Sequence, residues 1–210
     1  MTKQAAHRTR LFVTATGVAA SVAAAYVVAT ERVRADDLEK SETLAGDELI
    51  PAPIESLTHA ITIHRKVGDV WPWLAQMGAT RGGWYSYDAI DNGGYPSAAR
   101  IIPELQHLAV GMVFPALPGI HEGFLLLAYE ANRHLVLGWR SPSGELLATW
   151  AFVLREVEGG STRLIVRVRG AQGYPFYGMP RWLGRRIIPL GHFVMQRKQL
   201  LGIAARAEAL

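Results

Sequence analysis

The sequence predicts an α+β domain, one antiparallel sheet wrapped on a long C-terminal helix, set behind an N-terminal hydrophobic segment. Three observations predict it. Half of the 210 residues are apolar and 19% are charged, enough for one sizeable core. Segments of alternating polarity crowd the stretch 123–170, where neighbouring strands pair. A helical apolar stripe then runs over 190–209, and a sheet with one apolar face needs an element of that length to cover it.

The N-terminus carries Lys3, His7, Arg8 and Arg10 with no acid, and Leu11 to Ala29 follows without a charge. Nineteen residues at a helical rise of about 1.5 Å match the thickness of a bilayer core. Residues 1–30 are therefore expected as a membrane anchor, with a secretory signal ending in small residues near Ala25 or Ala29 as the alternative. The basic start favours an extracytoplasmic domain, membrane-anchored or secreted after cleavage. Residues 31–56 are polar and interrupted by Gly46, Pro51 and Pro53, and are expected as a polar linker. The domain proper is placed at 57–210.

Within that domain, Thr58–His64 alternates as a first strand. Val67–Met77 places apolar residues at helical spacing, with Pro72 expected in its first turn. Glycine pairs bracket the aromatic-acidic stretch 84–92, which has room for one or two helical turns, and a short strand is expected near Val110–Phe114. Four strands follow at Gly123–Glu130, His134–Arg140, Leu146–Arg155 and Thr162–Gly170. In the last, Leu164, Val166 and Val168 alternate with Arg163, Arg167 and Arg169, which predicts one buried face and one wet face. Gly173, Pro175, Gly178, Pro180 and Pro189 break the chain before a terminal helix at Leu190–Ala209.

This order resembles a known group. The stretches ITIHRKVGDVWPWLAQMG (61–78), GWYSYDAIDN (83–92), IPELQHLAVGM (102–112), TWAFVL (149–154), STRLIVRVRG (161–170) and HFVMQRKQLLGIAARAE (192–208) are similar to SRPBCC proteins. These are the START-like, Bet v 1-like and polyketide cyclase-like domains, some with an N-terminal hydrophobic segment. The resemblance covers roughly residues 45–208. It implies a helix-grip fold enclosing a cavity for a lipid or another hydrophobic small molecule. It carries no catalytic motif and no cofactor onto this chain.

The candidate ligand-binding residues follow from the aromatic content. Trp71, Trp84, Tyr85, Tyr87, Trp139 and Trp150 are expected to line the cavity, with Trp84, Tyr85 and Tyr87 at its entrance. His192 and Met195, at the start of the terminal helix, are expected on its wall. Asp88 joins them as the polar candidate. Asp91 and Asn92 read as capping or turn residues, and Arg197 as a partner for Asp88 or Asp91 or as a snorkelling edge residue. An enzyme of cyclase, dehydrase or hydrolase type is the alternative, and would need an inward dyad such as Asp88 with His192 or Tyr87. A cavity collapsed onto its own aromatics is the third.

Other classes have less support. The net charge of +4 is spread along the chain, so no nucleic-acid partner is expected. The absence of cysteine removes disulfides and thiolate chemistry, and the histidines show no metal-ligand spacing.

Overall fold

The alternating segments pair into one antiparallel sheet. In this computed structural model, residues 31–120, 122–171 and 181–210 are described. Among them the sheet has six strands: β1 (Glu55–Ile63), β2 (Val113–Pro115), β3 (Gly123–Glu130), β4 (His134–Arg140), β5 (Leu146–Val157) and β6 (Ser161–Gly170). Their spatial order is β1-β6-β5-β4-β3-β2, a meander closed by the return of β1 onto β6. The β3–β4 connection turns at Asn132, whose φ of 64° lies in the left-handed region that asparagine tolerates. A register shift between Leu126 and Ala128 bends β3.

Four α-helices accompany the sheet among the described residues. They are α1 (Asp37–Ser41), α2 (Val67–Ala75), α3 (Asp88–Asp91) and α4 (Arg181–Glu208). The sheet on one side, α4 against β1 and α2 between α4 and the sheet make the helix-grip arrangement. Pro72 lies in the second turn of α2 rather than the first. The Gly68 carbonyl thereby loses its helical donor, and its exposed position lets water replace it. Helix α4 starts at Arg181, well before the expected Leu190, and runs through Pro189. A proline inside a helix removes one hydrogen bond, which a helix of this length survives.

Register assigns the faces. Ile61, Leu164, Phe152, Leu135 and Leu137 point inward and are at most 1% exposed. The packing is closest where α4 crosses the 85–86 loop. A Cβ on Gly202 would collide with the Tyr85 carbonyl, so glycine is what lets the helix approach this backbone.

The outer face corrects two expectations. The polar stretch 31–56 is not a free linker over its length, and the arginine face of β6 is not simply wet. Residues 35–50 lie across β1, β6 and β5 as a strap. Ala35 and Leu44 pack on Ala60 and Ile165. Asp36 opens α1 with a full capping box to Glu39. Arg163 then pairs with Glu39 (2.7 Å), and Arg169 with Asp47 (3.2 Å). Arg167, only 3% exposed, donates to Asp47 Oδ2, to the carbonyls of Glu39, Lys40 and Glu42, and to Thr58 Oγ1. Sequence polarity here marked ion pairing with a second layer.

The apolar run 11–29 lies outside the described residues. Among those described, no helix is long and apolar enough to cross a membrane.

Candidate functional site

Between the inner face of the sheet and the stretch 192–199 of α4 lies a cavity of about 430 Å³. Its position follows from the sheet pattern. Large residues fill the inner face along Leu135, Phe152 and Leu164, whereas further along β4 and β5 the inward positions hold Trp139 and Trp150. These two remain half-buried, because open space rather than protein stands in front of part of each ring.

The aromatic wall is rigid. Trp84 stacks on Trp150 with ring centroids 5.4 Å apart and planes 21° from parallel. Phe124 meets Trp84, Trp139 and Trp150 at 5.2–5.5 Å in steep, edge-like geometry. Both stacked indoles are anchored by their N–H groups. Trp84 donates to the Ala116 carbonyl (3.2 Å) and Trp150 to Gln196 Oε1 (3.0 Å). The loop that delivers Trp84 is closed by the Gly78–Gly83 bridge and by Arg81, which donates to the Met77 and Ala75 carbonyls at the end of α2.

Helix α4 supplies the polar wall. Gln196 and Gln199 are each 2% exposed, and Gln196 Nε2 donates to Gln199 Oε1 at 2.8 Å. Gln199 Nε2 in turn contacts Met77 Sδ at 3.8 Å. One directed chain thus runs Trp150, Gln196, Gln199, Met77 and fixes both amides. Ser86 Oγ donates to the Met195 carbonyl (3.1 Å), tying the 85–86 loop to the same helix.

Two titratable groups on the wall are perturbed. Burial, reinforced by the neighbouring Asp88, pushes Asp91 up to about 6. Burial pulls His192 down to about 4, with the nearby His59 adding to the effect. The His59 and His192 rings lie 6.0 Å apart, and burial lowers His59 as well. Asp91 Oδ1 and both histidine Nδ1 atoms are buried without a hydrogen-bond partner among the described residues. Neutral imidazoles and a carboxyl that ionises late suit an apolar environment. Among the described residues, no cluster of three or more His, Cys, Asp or Glu is placed to hold a metal ion.

The expected site residues divide. Trp84, Trp139, Trp150, His192 and Met195 come together on the cavity wall. Trp71 does not; it stacks on Tyr129 at 6.4 Å. Tyr85 is a core residue at 2% exposure, edge-on to Trp73 and under the Arg206 guanidinium. Tyr87 and Asp88 border a separate hollow of about 300 Å³ beside Ser97, Lys198 and Arg206. Asp88 there accepts from Ser97 Oγ at 2.5 Å, and the Tyr85 N–H donates to the same hydroxyl. The dyad of Asp88 with His192 is thus divided between two hollows, and Tyr87 borders the second one rather than the cavity. Asn92 is a turn residue as expected, donating to the Tyr95 carbonyl and accepting from the Thr80 N–H.

Sequence reasoning missed Phe124, Gln196 and Gln199, and read Asp91, which lines the cavity, as a capping or turn residue. For the glutamines a signal existed. Both fall on the buried side of α4 between Phe193 and Leu200, where an uncharged polar residue needs a buried partner.

No family model and no curated protein matches this chain. Solved structures similar to it include a Mesorhizobium loti protein at 18% identity, covering 74% of this chain and 98% of that one, TM-score 0.44. A polyketide-cyclase-like protein from Corynebacterium glutamicum shows 17% identity over 71% of this chain and 88% of its own, TM-score 0.42. An HSP90 activator from Plasmodium falciparum shows 11% identity over 66% and 92%, TM-score 0.40.

Proposed function

We propose that this domain binds a hydrophobic small molecule or lipid in the cavity between sheet and α4, and that the N-terminal apolar run holds it at a membrane. The observation that carries the binding reading is the combination of an aromatic wall with open volume. Four aromatic side chains, Trp84, Phe124, Trp139 and Trp150, are held in fixed geometry around a space within the range that small ligands occupy. A wall that only filled the core would close on itself. Membrane attachment rests on the length and apolar character of residues 11–29, and the proposed extracytoplasmic side rests on the basic residues Lys3, Arg8 and Arg10 before them.

The test uses the full chain in lipid nanodiscs and the neutral probe N-phenyl-1-naphthylamine, with empty nanodiscs as reference. Saturable one-to-one binding is expected, weakened about tenfold or more by Val168→Trp, which fills the cavity from β6. Ala148→Leu provides a second, milder obstruction. Equal affinity in the wild type and both folded variants would refute the reading.

A further inference from the structure

The cavity wall is one-sided in charge. Its described lining contains two carboxylates, Asp91 and Glu122, and neither lysine nor arginine. Its amides are already committed, because Gln196 and Gln199 bond each other, Trp150 and Met77. Both indole N–H groups nearest the stacked pair are committed as well, so Trp84 and Trp150 present π faces and edges rather than donors. What the wall offers a ligand is two carboxylates, ring faces, and the ring nitrogens of Trp139 and His192. Asp91 is the buried member, 9% exposed, with Oδ1 unpartnered, whereas Glu122 is exposed at the rim.

Resting on the binding reading above, we propose that the cavity selects an apolar molecule whose polar group is an amine, and discriminates against carboxylate amphiphiles. An ammonium would meet the Asp91 carboxylate on one side and the quadrupoles of Trp84, Trp150 and Phe124 on the other. A ligand carboxylate would meet two like charges and no cation among the described residues, which is unfavourable. The neighbourhood of Asp91 also gives binding a pH signature. Its carboxyl ionises near 6, and the other titratable groups around it are Asp88 beside it on α3, Glu122 at the start of β3 and His192 on α4. Amine affinity should therefore fall as pH drops through that value.

The test compares three ligands of one shape, 2-naphthylmethylamine, 2-naphthalenemethanol and 2-naphthoic acid, by calorimetry on the full chain in nanodiscs. At about pH 7.5 the amine is expected to bind about tenfold or more tighter than the acid, with the alcohol between them. Asp91→Asn should narrow the amine-to-alcohol ratio by about tenfold. In the wild type the same ratio should shrink at about pH 5, a readout that does not depend on the variant folding. If the alcohol binds and the acid equals or exceeds the amine, the selectivity is overturned while the cavity stands. If none of the three binds, the cavity reading fails with it.

Discussion

The two faces of the sheet use polar residues in opposite ways. On the outer face, Arg163, Arg167 and Arg169 are bound into the strap 35–50, and Arg167 donates to five acceptors. On the inner side, Asp91, His59 and His192 keep buried atoms without partners among the described residues, and Asp91 and His192 border the open volume. A buried charge bonded as fully as Arg167 holds structure, even with Arg169 Nε beside it left without a partner among the described residues, whereas a buried group left unbonded beside a cavity is available to a ligand. The outer face fixes register, and the inner face is where function is to be sought.

The largest effect should come from breaking the outer lattice. Arg167→Ala leaves Asp47 with the Leu44 N–H and the longer contact to Arg169, and strands the carbonyls of Glu39, Lys40 and Glu42. A loss of about 3–5 kcal/mol is expected in chemical denaturation. If the strap were a loosely held tether, the loss would stay near the 0–1 kcal/mol of a surface pair.

Next comes the helix contact at Gly202. Gly202→Ala should destabilise by about 1–3 kcal/mol, since its methyl meets the Tyr85 backbone, which already sits at a φ of 58°. A neutral result would show that α4 and the 85–86 loop separate freely.

On the inner face, Trp150→Phe keeps a ring but removes the donor to Gln196. The buried amide chain then loses its first link, at about 1–2 kcal/mol. Binding of N-phenyl-1-naphthylamine should change less than in Val168→Trp, which separates loss of the hydrogen bond from loss of volume.

The smallest effects are on pH dependence, and their signs oppose. His192 titrates near 4 in the folded chain against an ordinary 6.5, so the unfolded chain takes the proton first. Its contribution is lost as pH falls from 6.5 towards 4, and His192→Phe should flatten that fall. Asp91 ionises near 6 against an ordinary 3.8, so the folded chain binds the proton first and stability is lost as pH rises between those values. Asp91→Asn should raise stability above pH 6 and steepen the acid loss left to the histidines. Thermal melts across that range read both slopes.

Much of the sheet was legible in the sequence because alternation is local. The β3, β4 and β6 segments emerge close to their predicted bounds, and the inward set Leu164, Val166, Val168 follows directly from period two. The strap was not legible. Its acids read as part of a polar linker, and their arginine partners lie more than a hundred residues away in β6. Five of nine expected site residues share the cavity: sheet register placed Trp139 and Trp150, helix periodicity placed His192 and Met195, and the loop closed by the Gly78–Gly83 bridge placed Trp84. Tyr85, Tyr87 and Asp88 diverged because the loop after Trp84 turns at Tyr85 through a positive φ, which residue type alone does not announce. Trp71 was misread for a simpler reason. A tryptophan on a buried helix stripe packs equally well on Tyr129 as on a ligand.

Native mass spectrometry of the full chain, released gently from the membrane fraction, tests the central claim most directly. The expected spectrum shows the wild type carrying one small apolar adduct, or taking one up from an offered panel, and the Val168→Trp variant carrying none. A wild type that stays empty against every apolar compound offered, or a variant that retains the adduct equally, would contradict a ligand-binding cavity between the sheet and α4.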